Sequence, residues 1–511
     1  MKKIISILFV SLLLLTSCDE YLDINQNPND ATSASVNLVL PSVLTSMSAR
    51  TSVDVNYDYT PWMGYWSHAD GWSGWYDIKQ YRLTSNNQGG WFMTPYSGWL
   101  MDLQFIENNA TAKRDLYYKA IAKILKSLTY QMLVDAYGDV PYSEACKGIL
   151  APAYDDDQAI YENLIVQLDS AITIIKTSPD SNAPTTPDIL FKGDMNKWKQ
   201  LANTLRLKIL LRQSEMSGRA AYIQPKLTGL TAADFLSADA LVNPGFTASK
   251  PQFYYSTFGW NTTGALTSAH TQYVMNAFIE KIYNDLGDPR KARCFAAAIA
   301  PGTAGAWNGK PFGVEGDGLG NPWNKDKGNL IGLGLEELNV SVLKGALVMP
   351  AFESYFLQAE AVQRGWLTGN VKDLYESGVK ASFAYLGLTA ADATSYLTSA
   401  KSMADWSVTT DKLTLIIFQK YIAFCGINGF ESWCEYRRTG IPDPKASDSK
   451  ASMLSYNDGV SRREVPSKLH YPAREFTLNN TKVLEAVHKN YNGKDPDDKY
   501  HFDSKVFWDV K

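Results

Sequence analysis

The chain has few of the residues that usually build metal and redox centres. It contains only 5 cysteines and 5 histidines in 511 residues. No two cysteines form a C-x-x-C pair, which excludes the common zinc and dithiol redox motifs. The histidines are dispersed, and we interpret each as a surface or hydrogen-bonded residue; they are His68, His270, His470, His488 and His501. The sequence therefore predicts no metal centre built from these two residue types.

Local catalytic signatures are also absent from the sequence. There is no G-x-S-x-G, H-E-x-x-H, G-x-x-x-x-G-K-[ST] or G-x-G-x-x-G string. A glycoside hydrolase would need two positioned carboxylates, and with 53 acidic residues chance pairs are abundant, so no local pattern selects one pair. We expect a protein that is not an enzyme.

A strong charge imbalance is missing as well. The formal net charge is -4, and apart from Lys2 and Lys3 the chain has no basic run dense enough to follow a phosphate backbone. Nucleic acid is therefore not an expected partner.

Long apolar runs are confined to the N-terminus. Lys2 and Lys3 precede an apolar segment over 4–15, about a dozen residues, where a bilayer span needs roughly 20. The segment ends in Leu-Thr-Ser-Cys, which resembles the bacterial lipobox. We predict that residues 1–17 are a signal peptide and that Cys18 is lipidated, anchoring the protein to the outer membrane of a Gram-negative bacterium. The alternative is a secretory leader with an incidental cysteine.

The segment that follows the expected anchor is polar. Residues 18–35 are rich in asparagine and are interrupted by Pro28, which is typical of a flexible tether. The remaining cysteines are Cys146, Cys294, Cys425 and Cys434, and an exported location would permit disulfides among them. Cys425 and Cys434 flank a glycine-containing turn and can approach each other, but buried inert thiols fit the spacing equally well.

Apolar residues recur at helical spacing in much of the body. The segments are 116–133, 161–175, 198–211, 352–362, 374–386 and 413–424. The first should end near Gly138 and Pro141. The helices over 352–364 and 373–386 resemble a tetratricopeptide hairpin, because Ala359 and Ala361 would let them approach closely.

A short acidic run at Asp155, Asp156 and Asp157 precedes the second of these helices. We interpret it as a solvated helix start, because acids favour the positive end of the helix dipole. Calcium binding is the alternative, although the alternating ligand loop of known calcium sites is missing. No other cofactor is expected.

Aromatic residues are abundant, with 14 Trp, and 13 aromatics lie between Tyr57 and Trp99. Sugar rings have apolar C–H faces and polar rims, so flat aromatic side chains flanked by polar residues bind them. Most of these rings are expected in the core, but nearby glycines favour access to some of them. The candidates for ligand binding are Trp72, Trp75, Tyr76 and Trp91, then Tyr255, Trp260 and Asn261 in a second cluster, and Trp307, Asn308, Trp323 and Asn324 in a third.

Several longer strings carry a family resemblance over nearly the whole mature chain. They are AYGDVPYSEA at 136–145, the helix at 193–212, ESYFLQAEAVQRGW at 353–366 followed by LYESGVKASF, Asp288-Pro289-Arg290, Tyr471-Pro472 to Glu475 with Asn479 and Asn480, and Val506 to Asp509. Their order and spacing resemble the SusD/RagB family of nutrient-binding outer-membrane lipoproteins. Asp19 and Glu20 after the lipobox cysteine also resemble a surface-export signal.

The resemblance implies a mostly α fold, in which tetratricopeptide-like hairpins form a scaffold and a loop-rich region binds the ligand. It implies one SusD-like domain over 36–511, with the scaffold near 100–213 and 350–440 and loop-rich insertions near 56–98 and 239–334. Members are not enzymes; they cap a SusC-like TonB-dependent barrel at the cell exterior and deliver oligosaccharides or, in some cases, peptides. Peptide cargo and a protein-interaction scaffold without a small ligand stay open as alternatives.

Overall fold

The computed structural model describes residues 35–70, 72, 74, 76–87, 89–179, 181–295, 309–314, 344–444, 451–457, 459–460 and 462–511. Most of these residues are helical. The α-helices, numbered along the chain, are α1 (Val36–Ala49), α2 (Tyr59–Trp62), α3 (Tyr76–Lys79), α4 (Gly89–Pro95), α5 (Met101–Asn109), α6 (Leu116–Tyr137), α7 (Asp157–Thr177), α8 (Met195–Leu211), α9 (Ala220–Leu227), α10 (Phe253–Phe258), α11 (Ser268–Gln272), α12 (Ala277–Leu286), α13 (Lys291–Cys294), α14 (Ala351–Gln363), α15 (Val371–Tyr385), α16 (Ala390–Leu397), α17 (Lys412–Ala423), α18 (Gly429–Thr439), α19 (Ala473–Leu478), α20 (Asn480–Asn490) and α21 (Tyr500–Asp503).

Short strands form three antiparallel pairs within the described residues. The strands are β1 (Trp66–His68), β2 (Val140–Pro141), β3 (Tyr154–Asp155), β4 (Ala240–Val242), β5 (Tyr273–Met275) and β6 (Ala346–Met349). β1 pairs with β5, β2 with β3, and β4 with β6. In the last pair Ala240 lies opposite Met349 and Val242 opposite Ala346, so chain positions about 100 residues apart meet in one ladder.

All six helices that the apolar spacing predicts are present, and their ends have local causes. α6 ends at Tyr137 because Gly138 adopts φ 77°, a left-handed conformation that favours glycine. α8 begins after Asp194, whose carboxylate accepts hydrogen bonds from the amides of Asn196 and Lys197. The predicted spans are therefore confirmed. The first helix starts at the predicted residue, and each of the other five starts one to four residues earlier, where a polar cap or a turn allows it.

The expected tetratricopeptide-like hairpin is formed by α14 and α15. Ala359 and Ala361 are fully buried on α14. On α15, a Cβ at Gly378 would lie 2.8 Å from the Phe356 ring, so only glycine fits this crossing. Two further helices, α6 and α7, also pack against each other. Small residues thus allow the close helix packing that the sequence predicts.

A network of buried ion pairs joins α6, the C-terminal end of α8, α14, α17 and α18. Arg212 ion-pairs with Glu431, with Glu435 at 2.5 Å and with Asp135 at 3.3 Å. Burial alone would raise the pKa of Glu435, but the surrounding cations, Arg438 first, hold it well below its ordinary value. Because each buried carboxylate faces a cation, the network satisfies charges that would otherwise be costly inside the scaffold.

The network extends on both sides of Arg212. Its other members are Lys208 with Glu353 at 2.5 Å and Glu431 at 3.2 Å, Lys420 with Glu435 at 2.7 Å, and Arg438 with Glu360 at 2.7 Å and Glu435 at 2.5 Å. The pairs of Lys208, like those of Arg212 with Glu431 and Glu435, tie residues before 213 to residues after 350, and the pairs of Lys420 and Arg438 join helices after 350. The two halves of the expected scaffold are therefore joined by charge as well as by apolar packing.

The strings that carry the family resemblance lie largely in this scaffold. The Arg290 guanidinium is fully buried, donates to Asp288 at 2.6 Å and to Gln419 at 2.9 Å, and packs over the ring of Phe383. Near the C-terminus, the Trp508 indole donates to Asp135 at 2.9 Å. These motifs thus hold helices together and do not by themselves mark a ligand site.

One apolar core contains residues from Val36 to Trp508. Within the described part of the chain, no helix is both long and apolar enough to cross a bilayer. The cysteines at 146, 294, 425 and 434 are all free thiols. Cys425 and Cys434 are buried. Of the two predicted arrangements, a disulfide or buried thiols, the structure therefore has the buried thiols.

The acidic run begins α7, as expected, but it is not solvated throughout. Asp156 caps the helix by accepting from the Ala159 amide at 2.8 Å. Asp157 is buried, and burial and then the charge of Asp139 raise its pKa to about 6. The Lys489 ammonium ion-pairs with Asp139 at 2.8 Å and with Asp156 at 2.7 Å, which offsets this acidic cluster. Calcium binding here stays a prediction.

Candidate functional site

The candidate site is built on the ladder of β1 and β5. His68 lies opposite Tyr273, and the next residue, Ala69, donates its amide to the Gln272 carbonyl at 2.8 Å. Residue 310 joins the other side of this ladder, since the Lys310 amide donates to the Met275 carbonyl at 2.8 Å. Residues 66–69, 272–275 and 310 therefore meet at one place.

Polar side chains lie beside this ladder. The Lys310 ammonium ion-pairs with Asp70 at 2.6 Å and donates to the His68 carbonyl at 2.9 Å. Burial, followed by the charges of Lys79 and Lys310, holds the pKa of His68 well below its ordinary value. The imidazole is therefore neutral at physiological pH, and the charge at this position is carried by the lysine and aspartate pair.

Two of the predicted aromatic residues follow directly. Trp72 is partly buried against Ala69 and Val274, and its indole donates to the Thr271 carbonyl at 3.0 Å. This hydrogen bond holds the ring in one orientation while part of it stays accessible. Tyr76, at the start of α3, is 52% exposed. An anchored, partly accessible tryptophan and an exposed tyrosine four residues later are both side chains on which a ligand can stack.

The second predicted cluster lies on the neighbouring segment. The rings of Tyr255 and Trp260 are 5.7 Å apart, and His270 lies 5.5 Å from Trp260. His270 directly precedes Thr271, the residue that accepts from Trp72. Trp72 and the Tyr255–Trp260 pair therefore both contact α11, Trp72 at Thr271 and Trp260 at His270.

Asn261 lies on the same segment and is exposed. Its side-chain oxygen accepts from the amides of Thr263 and Ala265, at 2.9 and 3.0 Å. Part of its hydrogen-bonding capacity thus shapes the turn.

The expectation of an accessible ring is wrong for Trp91. Gly89 and Gly90 begin α4, and Trp91 is only 7% exposed; it packs 5.2 Å from Tyr59 and lies under the Arg50 guanidinium at 4.3 Å. Adjacent glycines do not expose a ring when they belong to a helix that packs on the core. Trp260, at 8% exposure, is likewise mostly covered and can support Tyr255 rather than offer a full face.

Several predicted positions lie outside the described residues. They are Cys18, Trp75, Trp307, Asn308, Trp323 and Asn324. The polar residues His68, Asp70, Lys79 and Lys310 are not recognisable in the sequence, because Lys310 is distant in the chain and only the ladder brings it there. The described part of the site thus offers aromatic surface and part of the Asp70 carboxylate, whereas the Lys310 side chain is only 2% exposed and serves to hold Asp70 in place.

The fold and the sequence place the chain in a known family. Residues 28–472 match the SusD-like family, described as starch-binding and associating with the outer membrane. Because this match covers most of the chain, the chain belongs to the SusD-like family. No curated protein matches it.

Solved structures share the fold. A chitin-binding protein is 24% identical with a TM-score of 0.71, covering 92% of this chain and 100% of that chain. A chitin-binding SusD homolog from Flavobacterium johnsoniae is 22% identical with a TM-score of 0.71, covering 93% and 99%. A SusD-like protein from Bacteroides thetaiotaomicron is 21% identical with a TM-score of 0.72, covering 93% and 99%. These similarities confirm the predicted mostly α, SusD-like architecture.

Proposed function

We propose that this protein is a non-catalytic glycan-binding lipoprotein that captures oligosaccharides at the cell exterior and passes them to a TonB-dependent outer-membrane barrel. The observation that carries the proposal is the aromatic corner: the partly accessible ring of Trp72, which the Thr271 carbonyl holds at the end of the β1–β5 ladder, with Asp70 two residues before it and the exposed Tyr76 four residues after it. Membership of a family described as starch-binding supports it, as do the chitin-binding neighbours. The names of those neighbours indicate glycans as the class of cargo, and the proposal for this chain extends only to that class.

The chemistry of the corner suits a sugar. A pyranose ring stacks its C–H face on an aromatic side chain, while its hydroxyls bond to polar groups nearby. Each stacked ring contributes about 1 kcal/mol through apolar burial, so a few contacts give a Kd on the order of micromolar to millimolar. Such an affinity fits a protein that must release its cargo.

The first test replaces the accessible rings. The double variant Trp72→Ala, Tyr76→Ala is expected to weaken binding of N-acetylchitohexaose or maltohexaose by at least tenfold, because two stacking faces are lost. Isothermal titration calorimetry measures the Kd, and circular dichroism reports the fold.

The matched control is Trp366→Ala, Tyr222→Ala, which removes a partly buried tryptophan and tyrosine from the scaffold, each packed under an arginine. Equal affinity of the site variant and this control for every glycan bound by the parent would refute the site. Binding of peptides but of no glycan would favour the peptide alternative.

The anchor is tested separately. Cys18→Ser is expected to release the protein from the membrane fraction and to impair uptake, while Kd in solution is unchanged, because a tether raises the effective concentration at the transporter. Fractionation, uptake and calorimetry measure the three quantities.

Pull-down of the lipidated protein in mild detergent should recover a large β-barrel partner. Retention of the Cys18→Ser variant in the membrane, or absence of a barrel, counts against this part of the proposal.

A further inference from the structure

A polar cavity of about 550 Å³ lies between α5, α6 and α7, away from the aromatic corner. All residues over 89–179 are described, so the lining is fully defined here. Lys119, Lys123 and Lys126 recur along one side of α6 and face the cavity, and Lys147 reaches it from the turn after β2. The size falls within the range of small-molecule sites, roughly 300–1,000 Å³.

The charges that line this cavity do not cancel. Glu107 is the one carboxylate among the lining residues, and it is shared by Lys123 and Lys126, each at 2.8 Å. Burial alone would raise the pKa of Glu107, but Lys126 and Lys123 lower it, so the carboxylate is ionised. Four ammonium groups thus face one carboxylate. The nearby Asp155 is directed to the backbone amides of Tyr142 and Ser143, at 2.9 and 2.8 Å.

The inner lysines are held in place by amides. Lys123 donates to Gln167 at 2.6 Å, and Lys126 donates to Gln104 at 2.9 Å. Because these side chains are partly buried and already ordered, they lose little further freedom when a ligand binds. The two inner ammonium groups are therefore preorganised, whereas Lys119 and the exposed Lys147 lie nearer the opening, with Lys147 donating to the Ser143 carbonyl at 2.7 Å.

The rest of the lining is suited to hydroxyl groups. Asn163 accepts from the Tyr142 hydroxyl at 2.6 Å, and Asn108 and Ser127 also face the cavity. The ring of Tyr142 lies edge-on to Tyr130, with centroids 4.7 Å apart. Amides, hydroxyls and a tyrosine beside lysines match a ligand that carries both hydroxyls and negative charge.

We propose that this cavity is a second binding site, which takes an acidic saccharide and uses Lys119, Lys123, Lys126 and Lys147 to bind its carboxylate groups. The proposal goes beyond the function proposed above, because it concerns different residues and a different chemical class of sugar. An acidic peptide offers the same carboxylates but lacks hydroxyls along its backbone, and the amide and hydroxyl groups of the lining favour the sugar.

The test uses trigalacturonate as the probe, with N-acetylchitotriose, sodium sulfate and hexaglutamate as comparison ligands. The parent protein is expected to bind trigalacturonate at least tenfold more tightly than the other three, and binding should weaken at least tenfold between 50 and 500 mM salt, because charge attraction is screened. Titration calorimetry measures each Kd.

The variant for this test is Lys119→Gln, Lys147→Gln, which removes two ammonium groups and leaves the inner pairs of Glu107 intact. We expect it to weaken trigalacturonate binding at least tenfold, while Lys176→Gln, Lys197→Gln, at exposed positions on α7 and α8, leaves the Kd unchanged. Trp72→Ala, Tyr76→Ala should also leave it unchanged, which separates this site from the aromatic corner.

Three outcomes would overturn the proposal. They are equal trigalacturonate affinity in the parent and the Lys119→Gln, Lys147→Gln variant, hexaglutamate binding as tight as that of trigalacturonate, and sulfate binding as tight as that of trigalacturonate. The second outcome would indicate a peptide site, and the third a site for isolated anions.

Discussion

Replacing Arg212 by methionine is expected to lower the free energy of unfolding by about 3–5 kcal/mol, as for other buried ion pairs that lose one partner. The guanidinium is almost completely buried and neutralises Asp135, Glu431 and Glu435 together. Methionine fills a similar volume but leaves these carboxylates facing one another with less positive charge. Urea unfolding at pH 7, followed by circular dichroism, measures the loss.

The matched control is Arg462→Met. Arg462 also makes two ion pairs, with Glu464 at 2.6 Å and Asp503 at 2.5 Å, but its side chain is 43% exposed. Exposed pairs contribute about 0–1 kcal/mol, so this change should have little effect. Similar losses for Arg212→Met and Arg462→Met would show that burial of the network does not matter for stability.

Acid is expected to destabilise the protein through a buried pair of histidines. His501 Nε2 lies 2.6 Å from the Tyr81 carbonyl and therefore donates to it, while His501 Nδ1 lies 3.2 Å from His470 Nε2. In the neutral pair His501 Nδ1 accepts from His470. Burial, then the neighbouring His501 and Lys468, lowers the pKa of His470 to about 3. Burial lowers that of His501 to about 4, although the bond to Tyr81 opposes this.

The direction of the effect follows from proton binding. The unfolded chain binds protons at these histidines below about pH 6.5, whereas the folded protein does not until about pH 4 or below. Stability is therefore present above pH 6.5 and is lost as the pH falls toward 4, by an amount on the order of 6 kcal/mol for the pair. Urea unfolding at a series of pH values between 7 and 4 measures this loss.

His470→Gln is expected to flatten the fall in stability between pH 6.5 and 4, even if the variant is less stable than the parent at pH 7. His488→Gln, at an exposed position on α20, is the matched control for the substitution itself. Parallel pH profiles for the parent and His470→Gln would contradict the assignment, since the slope would then come from other groups.

The helical scaffold could be predicted from the sequence because its signals are local. Apolar spacing located all six helices, and Ala359 and Ala361 indicated the close hairpin. The buried ion pairs could not be predicted. Arg212 and Glu431 are far apart in the chain, and a charged residue on a helix is usually exposed. Only the packing of five helices shows that these charges face inward and neutralise each other.

The candidate site was predictable only in part. The aromatic clusters were found because aromatic residues flanked by polar residues and glycine form a local pattern, and Trp72 and Tyr76 retain exposed surface. The prediction of an accessible Trp91 failed because a neighbouring glycine says nothing about whether a helix packs on the core. Asp70 and Lys310 were missed because their pairing depends on the ladder of β1 and β5, which the sequence does not reveal.

The ladder of β4 and β6 affects how the length of the chain between these two strands can vary. Ala240 and Met349 are paired, so the chain leaves the scaffold and returns to it at nearly the same point. Lengthening or shortening an exposed loop within this excursion alters mainly a loop-closure entropy, which grows slowly with length. Such a loop can therefore change in length at little cost, provided that Arg290, which fastens the excursion to α15 and α17, is kept.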